Sequence, residues 1–160
     1  MIFDEAELFA ALHRSGVRGL LIGRRALIAL GAPLLTSDYD LWIHIDDIER
    51  LNAAVAPLDF APNYLPQEAR TRGRYVLEDH VHVDVMVARA QSTRDGDRVH
   101  FDDVWSRRLV VPYSHGIDLV MPAIPDLVRT KKWAMRPKDV ADIQWLEVLE
   151  LEDDDQGNAQ

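Results

Sequence analysis

The chain has 160 residues, 48% hydrophobic and 28% charged, with no cysteine and a formal net charge of -9. That length suits one domain with its own core, and the composition excludes a disordered or membrane-spanning chain, because no apolar run approaches the roughly 18 residues of a span. Without thiols there are no disulfides and no thiolate zinc or iron-sulfur centres, so any metal must be held by His, Asp or Glu. Glu152, Asp153, Asp154 and Asp155 carry four of the negative charges, and the mildly acidic remainder excludes a broad duplex-DNA surface, which needs a basic stripe. The opening residues lack a basic n-region, which predicts a cytoplasmic address rather than secretion.

In chain order, residues 4–15 set Leu8, Phe9 and Leu12 on one helical face, with Asp4, Glu5 and Glu7 suiting the helix dipole and Gly16 as the stop. Residues 17–23 read as a short buried strand closed by Gly23, and residues 24–30 as a short helix ended by Gly31. From Tyr39 to Ile45 the residues alternate. Tyr39, Leu41, Ile43 and Ile45 share one face and Asp40, Trp42 and His44 the other, which predicts a strand with one face on the core. Asp46 and Asp47 stand at the N-cap position of a helix carrying Ile48, Leu51, Val55 and Leu58.

Residues 73–88 read as two antiparallel strands turning at Glu78 and Asp79. The second puts Val81, Val83, Val85 and Val87 on one side and His80, His82, Asp84 and Met86 on the other. Residues 89–98 are polar and turn-rich, a surface loop; 108–112 and 117–121 are two further strand candidates. Ile124, Leu127, Val128 and residues 131–134 fit a helix, and Pro137 opens another with Val140, Ile143, Leu146 and Leu149 as its apolar stripe. The expected organisation is a single domain over residues 1–151 and an acidic flexible tail over 152–160.

The chemistry centres on Asp38 and Asp40. Strand side chains alternate, so these two carboxylates face the same way, and like charges so placed repel unless a cation or a hydrogen-bond network holds them. The plain alternative is a turn in which Thr36-Ser37-Asp38-Tyr39-Asp40 caps its own backbone amides.

The series Gly23-Arg24, Asp38-Tyr39-Asp40 and Asp84, on a helix, strand, glycine, helix, strand order, resembles the nucleotidyltransferase (polymerase-beta-like) superfamily. Residues 126–143, with Lys131, Arg136 and Lys138-Asp139, are similar to the minimal and AbiEii-type nucleotidyltransferase-like toxins. The resemblance implies an α/β (α+β) nucleotidyltransferase fold, a small mixed β-sheet flanked by helices with a helical C-terminal segment. It implies Asp38, Asp40 and Asp84 as catalytic and metal-holding residues, with two Mg2+ ions, or Mn2+ in their place. Gly23, Arg24, Lys131 and Arg136 would contact the nucleotide phosphates. The implied activity moves a nucleoside monophosphate from a nucleoside triphosphate to a hydroxyl on RNA such as tRNA, on a protein or on a small molecule. A toxin-like member would have a cognate antitoxin. The physical case agrees, since a hard cation prefers carboxylate oxygen to imidazole.

Each residue also has a plainer reading. Arg24 stands where the family has Gly or Ser, so it either obstructs the phosphate loop or grips phosphate itself. If it obstructs, the chain is a non-catalytic nucleotide-binding or interaction module. Arg25 is a further phosphate candidate or a solvated arginine at a helix start. Asp84 is a metal ligand or a strand aspartate paired with Arg74. Lys131 and Arg136 serve phosphate or lie on a solvated face, and Asp139 and Asp142 suit the dipole of the helix they open. His80-x-His82-x-Asp84 resembles part of a metallo-hydrolase motif, but lacks the His directly after Asp. Trp42, beside Asp40, is the one tryptophan placed to stack on a base; the others belong to the core.

Overall fold

The computed structural model describes residues 3–88, 91–92 and 96–158. The first helix, α1 (Glu5–Ser15), starts where Asp4 accepts the Ala6 N–H at 2.9 Å and stops at Gly16, whose φ of 72° is the left-handed value glycine adopts freely. Then come β1 (Gly19–Ile22), α2 (Gly23–Ala29), β2 (Tyr39–Ile43), α3 (Ile48–Val55), β3 (Ala61–Pro62), α4 (Pro66–Arg72), β4 (Arg74–Glu78) and β5 (His82–Val87). The second half holds β6 (Gln91–Ser92), β7 (Arg98–Val99), α5 (Phe101–Ser106), β8 (Leu109–Ser114), β9 (Ile117–Met121), α6 (Ile124–Lys131) and α7 (Pro137–Asn158).

Five strands form one mixed sheet in the order β1-β2-β5-β4-β3. Only β2 and β5 run parallel; the other neighbours are antiparallel. β8 and β9 form a separate hairpin whose Leu119 and Met121 join the main core. That core is built from the alternating residues Tyr39, Leu41 and Ile43 of β2 and Val83, Val85 and Val87 of β5, covered by Leu8, Phe9, Ile48 and Leu51. Each such side chain taken from water contributes about 1.5–3 kcal/mol.

Both faces of β2 are buried, which differs from the one-sided strand expected. Trp42 is 0% exposed and joins Leu20, Ile22, Val99, Phe101 and Val104 in a second core. Its ring meets Phe101 edge-on at 5.1 Å and Trp133 at 5.0 Å. The roof is α5, whose Phe101, Val104 and Trp105 stand at helical spacing, and no helix is expected there from the sequence reading above. The position also removes Trp42 from any base-stacking role, because a fully buried indole packed against two aromatic neighbours has no face to offer.

Asp47 occupies the cap position before α3 but makes no cap bond. Its buried carboxylate instead accepts the Arg18 backbone N–H at 2.8 Å and the guanidinium at 3.0 and 2.9 Å, tying the approach to β1 onto α3. The polar segment after β5 contains the short β6–β7 ladder; residues 89, 90 and 93–95 of it lie outside the described residues. On α7, Ile143 and Leu146 face the core as expected, whereas Val140 is 45% exposed and the inward positions one turn apart are taken by Asp139 and Asp142. Residues 152–157, expected as a flexible tail, continue α7 as an exposed acidic helix. No helix among the described residues is long and apolar enough to cross a membrane.

Candidate functional site

Register brings the sequence-distant residues together. β1 runs antiparallel to β2 with Ile22 opposite Asp40, so the chain leaves β1 at Gly23 beside the start of β2. β5 runs parallel to β2 with Asp84 directly opposite Asp40, and partners in register point to the same face. Asp38 precedes the strand by one residue, exposed at its mouth. These three carboxylates, Gly23, Arg24, Arg74, Met86, Lys131, Arg136 and Lys138 line one cleft of about 640 Å³, its open mouth included.

Gly23 has φ of 71°, and a Cβ there would run into the Asp40 carboxylate, within 3.1 Å of its Cγ and 3.2 Å of its Cβ. Glycine is therefore required twice, by the backbone angle and by the close packing of Asp40 against it. Asp40 is half-buried and its carboxyl is pushed up from the usual 3.8 to about 6. Burial is the largest cause, followed by the charges of Asp84 and Asp38; Lys131 and Arg136 pull the other way.

The opposite wall is cationic and braced from beneath by two acids. Asp142, 3% exposed, accepts Arg24 Nε at 3.2 Å and Nη2 at 3.4 Å, and Lys131 Nζ at 3.0 Å. Asp139, 1% exposed, accepts the Arg136 backbone N–H at 2.7 Å and Nε at 3.2 Å through one oxygen. Its other oxygen is 3.8 Å from Lys131 Nζ and has no hydrogen-bond partner among the described residues. Burial opposes ionisation of Asp139, but the Arg136 N–H and guanidinium, with Lys131, hold its carboxyl below the usual range. The Arg136 N–H contact is also the reach-back bond of a capping box, so one carboxylate both starts α7 and anchors the wall.

The sequence-predicted residues thus divide. Gly23, Arg24, Asp38, Asp40, Asp84, Lys131 and Arg136 share the cleft. Asp84 has the alternative partner as well, with Arg74 Nη2 at 3.8 Å. Arg25 does not line the cleft: it donates to the Thr36 carbonyl at 2.7 Å and to Glu5 at 3.2 Å, and lies 4.2 Å over the Tyr39 ring. It braces from behind the segment that carries Asp38. His80 and His82 are exposed and outside the cleft. Lys138 and Arg74 belong to the cleft although no phosphate role follows for them from the sequence, and Asp139 and Asp142 anchor it rather than serving the helix dipole alone.

The donor set is all oxygen, and the charged form of its central member is disfavoured by burial first and by the Asp84 and Asp38 charges next, which fits a hard divalent cation. No three acidic or histidine side chains among the described residues form a ready-made metal cage, however. Mg2+ commonly takes only one or two carboxylates and completes its shell with water and substrate phosphate oxygens.

No family model matches the chain, and no curated protein matches it significantly. Solved structures do. A provisionally assigned nucleotidyltransferase of Thermotoga maritima aligns over 94% of this chain and 90% of its own, with a TM-score of 0.57 and 12% identity. The antibiotic-resistance factor ANT(2'')-Ia, whose solution structure shows substrate-regulated conformational dynamics, aligns over 96% and 91%, with a TM-score of 0.62 and 14% identity. The chain has the nucleotidyltransferase fold. Within this nucleotidyltransferase fold, Gly23, Asp38, Asp40 and Asp84 lie on one cleft, in the mixed sheet and helical setting that the sequence implied.

Proposed function

We propose that the cleft transfers a nucleoside monophosphate from a nucleoside triphosphate to a hydroxyl acceptor. The acceptor oxygen bonds the α-phosphorus, the bond to the β-phosphate oxygen breaks, pyrophosphate leaves, and the hydroxyl proton passes to a carboxylate. The observation that carries this reading is Asp40 directly opposite Asp84 across parallel strands, facing the Lys131 and Arg136 wall.

Asp38, Asp40 and Asp84 would hold Mg2+, which when bound screens phosphate charge and activates the attacking oxygen. Asp84, half-buried at the cleft wall, takes the acceptor proton. Lys131, Arg136 and exposed Lys138 balance the triphosphate charge. Gly23 lets Asp40 and the chain after β1 crowd together without a side chain between them. The similarity of residues 126–143 to nucleotidyltransferase-like toxins supports a toxin-like member acting on RNA or protein, with an antitoxin partner; a small-molecule hydroxyl is the other acceptor class. The second reading, a nucleotide-binding module without transfer, rests on Arg24 standing where the resembling family has a small residue.

The test incubates purified protein with each labelled triphosphate, Mg2+ or Mn2+, and an RNA or lysate pool, beside Asp40→Asn. Label on an acceptor that disappears in the variant supports transfer. Triphosphate binding with no labelled acceptor supports the module, and no metal-dependent triphosphate binding removes both.

A further inference from the structure

Arg24 and Lys131 are 107 positions apart in sequence and compete for one buried carboxylate. Arg24 engages both oxygens of Asp142, so Lys131 shares only Oδ2, at 3.0 Å, and keeps N–H donors for other partners. On the other side, Oδ2 of Asp139 is taken by Arg136, and the unpartnered Oδ1 lies 3.8 Å from the Lys131 ammonium, too far for a hydrogen bond. Two buried carboxylates therefore face three cations, Arg24, Lys131 and Arg136, and the one formal positive charge left over acts across the cleft, where Asp40 feels Lys131 and Arg136.

We propose that Arg24 is a positioning residue, which by occupying Asp142 keeps the Lys131 ammonium incompletely neutralised and available to a polyphosphate, so that it sets affinity through Lys131 and not by touching phosphate. This rests on the transfer reading of the cleft. Without Arg24 the two acids face two cations: Lys131 has Asp142 to itself, Arg136 keeps Asp139, and Lys138 is left as the wall's surplus charge. The arginine that replaces the small residue of the resembling family is thus neither an obstruction nor a direct grip. Its guanidinium is turned into α7, where it ties α2 to the helix beneath the wall.

The experiment measures binding of inorganic tripolyphosphate with Mg2+ by calorimetry to the wild type, Arg24→Ser, Lys131→Met and the double variant, each checked for folding by circular dichroism. Contacting residues couple whereas independent ones do not, so Arg24→Ser is expected to weaken binding about 3–10-fold alone and less than about twofold beside Lys131→Met. Losses that multiply independently overturn the proposal. Arg24→Lys keeps a cation on Asp142 and is expected to stay within about twofold of the wild type, whereas a bidentate grip on phosphate does not survive that change. That comparison decides the matter even where Lys131→Met fails to fold, and a loss equal to that of Arg24→Ser overturns the proposal. A wild-type protein that binds neither tripolyphosphate nor any of the four Mg2+ nucleoside triphosphates overturns the transfer reading together with this inference. Binding with independent losses overturns this inference alone.

Discussion

Asp40→Asn changes one oxygen for an amide nitrogen at a half-buried position crowded by Gly23 and two other carboxylates. A rise of the Asp40 carboxyl from 3.8 to about 6 means that the folded protein holds a proton there more tightly than the unfolded chain does. Stability without metal therefore falls as pH rises from about 4 to about 6 and stays reduced above that. Undamped, the shift corresponds to about 3 kcal/mol; allowing for solvent screening at a partly exposed group, about 1.5 kcal/mol is the working figure. The neutral variant escapes this penalty. At pH 8 without divalent ions we predict that Asp40→Asn melts about 3–6 °C above the wild type, since 1 kcal/mol is worth about 2–4 °C at this size. At pH 4 most of the gap closes, because Asp40 is then protonated in the folded protein and only about half ionised in the unfolded chain. Added Mg2+ raises the wild-type melting temperature at pH 8 and narrows the gap, while the same variant loses transfer. The assay is thermal unfolding followed by circular dichroism, at both pH values with and without Mg2+. A variant less stable than the wild type at pH 8 without metal refutes the electrostatic account of this cleft.

Further outcomes follow from other contacts. Gly23→Ala places a methyl against the Asp40 carboxylate at a left-handed φ; it is expected to cost about 1–3 kcal/mol by denaturant unfolding and to lower transfer at least about tenfold. Asp47→Ala strips Arg18 of its partner and leaves a part-buried backbone N–H unmatched, an expected loss of about 1–3 kcal/mol, with unchanged stability refuting the brace. Trp42→Phe is expected to cost about 1–3 kcal/mol by cavity formation yet to leave triphosphate affinity within about twofold, and a large loss of affinity restores the stacking role denied above. Removing residues 152–160 should shift stability by less than about 0.5 kcal/mol in the same unfolding assay, because residues 152–157 are exposed.

Much of the fold was legible because alternation and glycine stops are local signals. The valine series of β5 and the Gly16 stop of α1 both stand where the pattern places them. The carboxylate set was legible only through resemblance: nothing local to Asp84 says that its strand lies parallel beside Asp40, since that pairing spans two helices and two strands. The helix α5 carried a usable signal in Phe101, Val104 and Trp105, but six residues are too few for periodicity to stand out. Asp139 and Asp142 misled for a physical reason. Acids at a helix start have an adequate local explanation in the dipole, and only the tertiary approach of Lys131, Arg24 and Arg136 makes them buried counter-ions. The same approach displaced Val140 from the inward face.

The bond between Arg24 and Asp142 joins residues 118 positions apart in a chain of 160. During synthesis, the acidic residues of the sheet and the cations Arg24, Arg74, Lys131 and Arg136 all precede α7, so the nascent protein passes through a stage in which Arg24, Lys131 and Arg136 lack the buried counter-ions Asp139 and Asp142. The cationic side of the cleft is therefore anchored only once α7 packs, and ribosome-bound or shortened chains lacking α7 should carry these cations without their counter-ions.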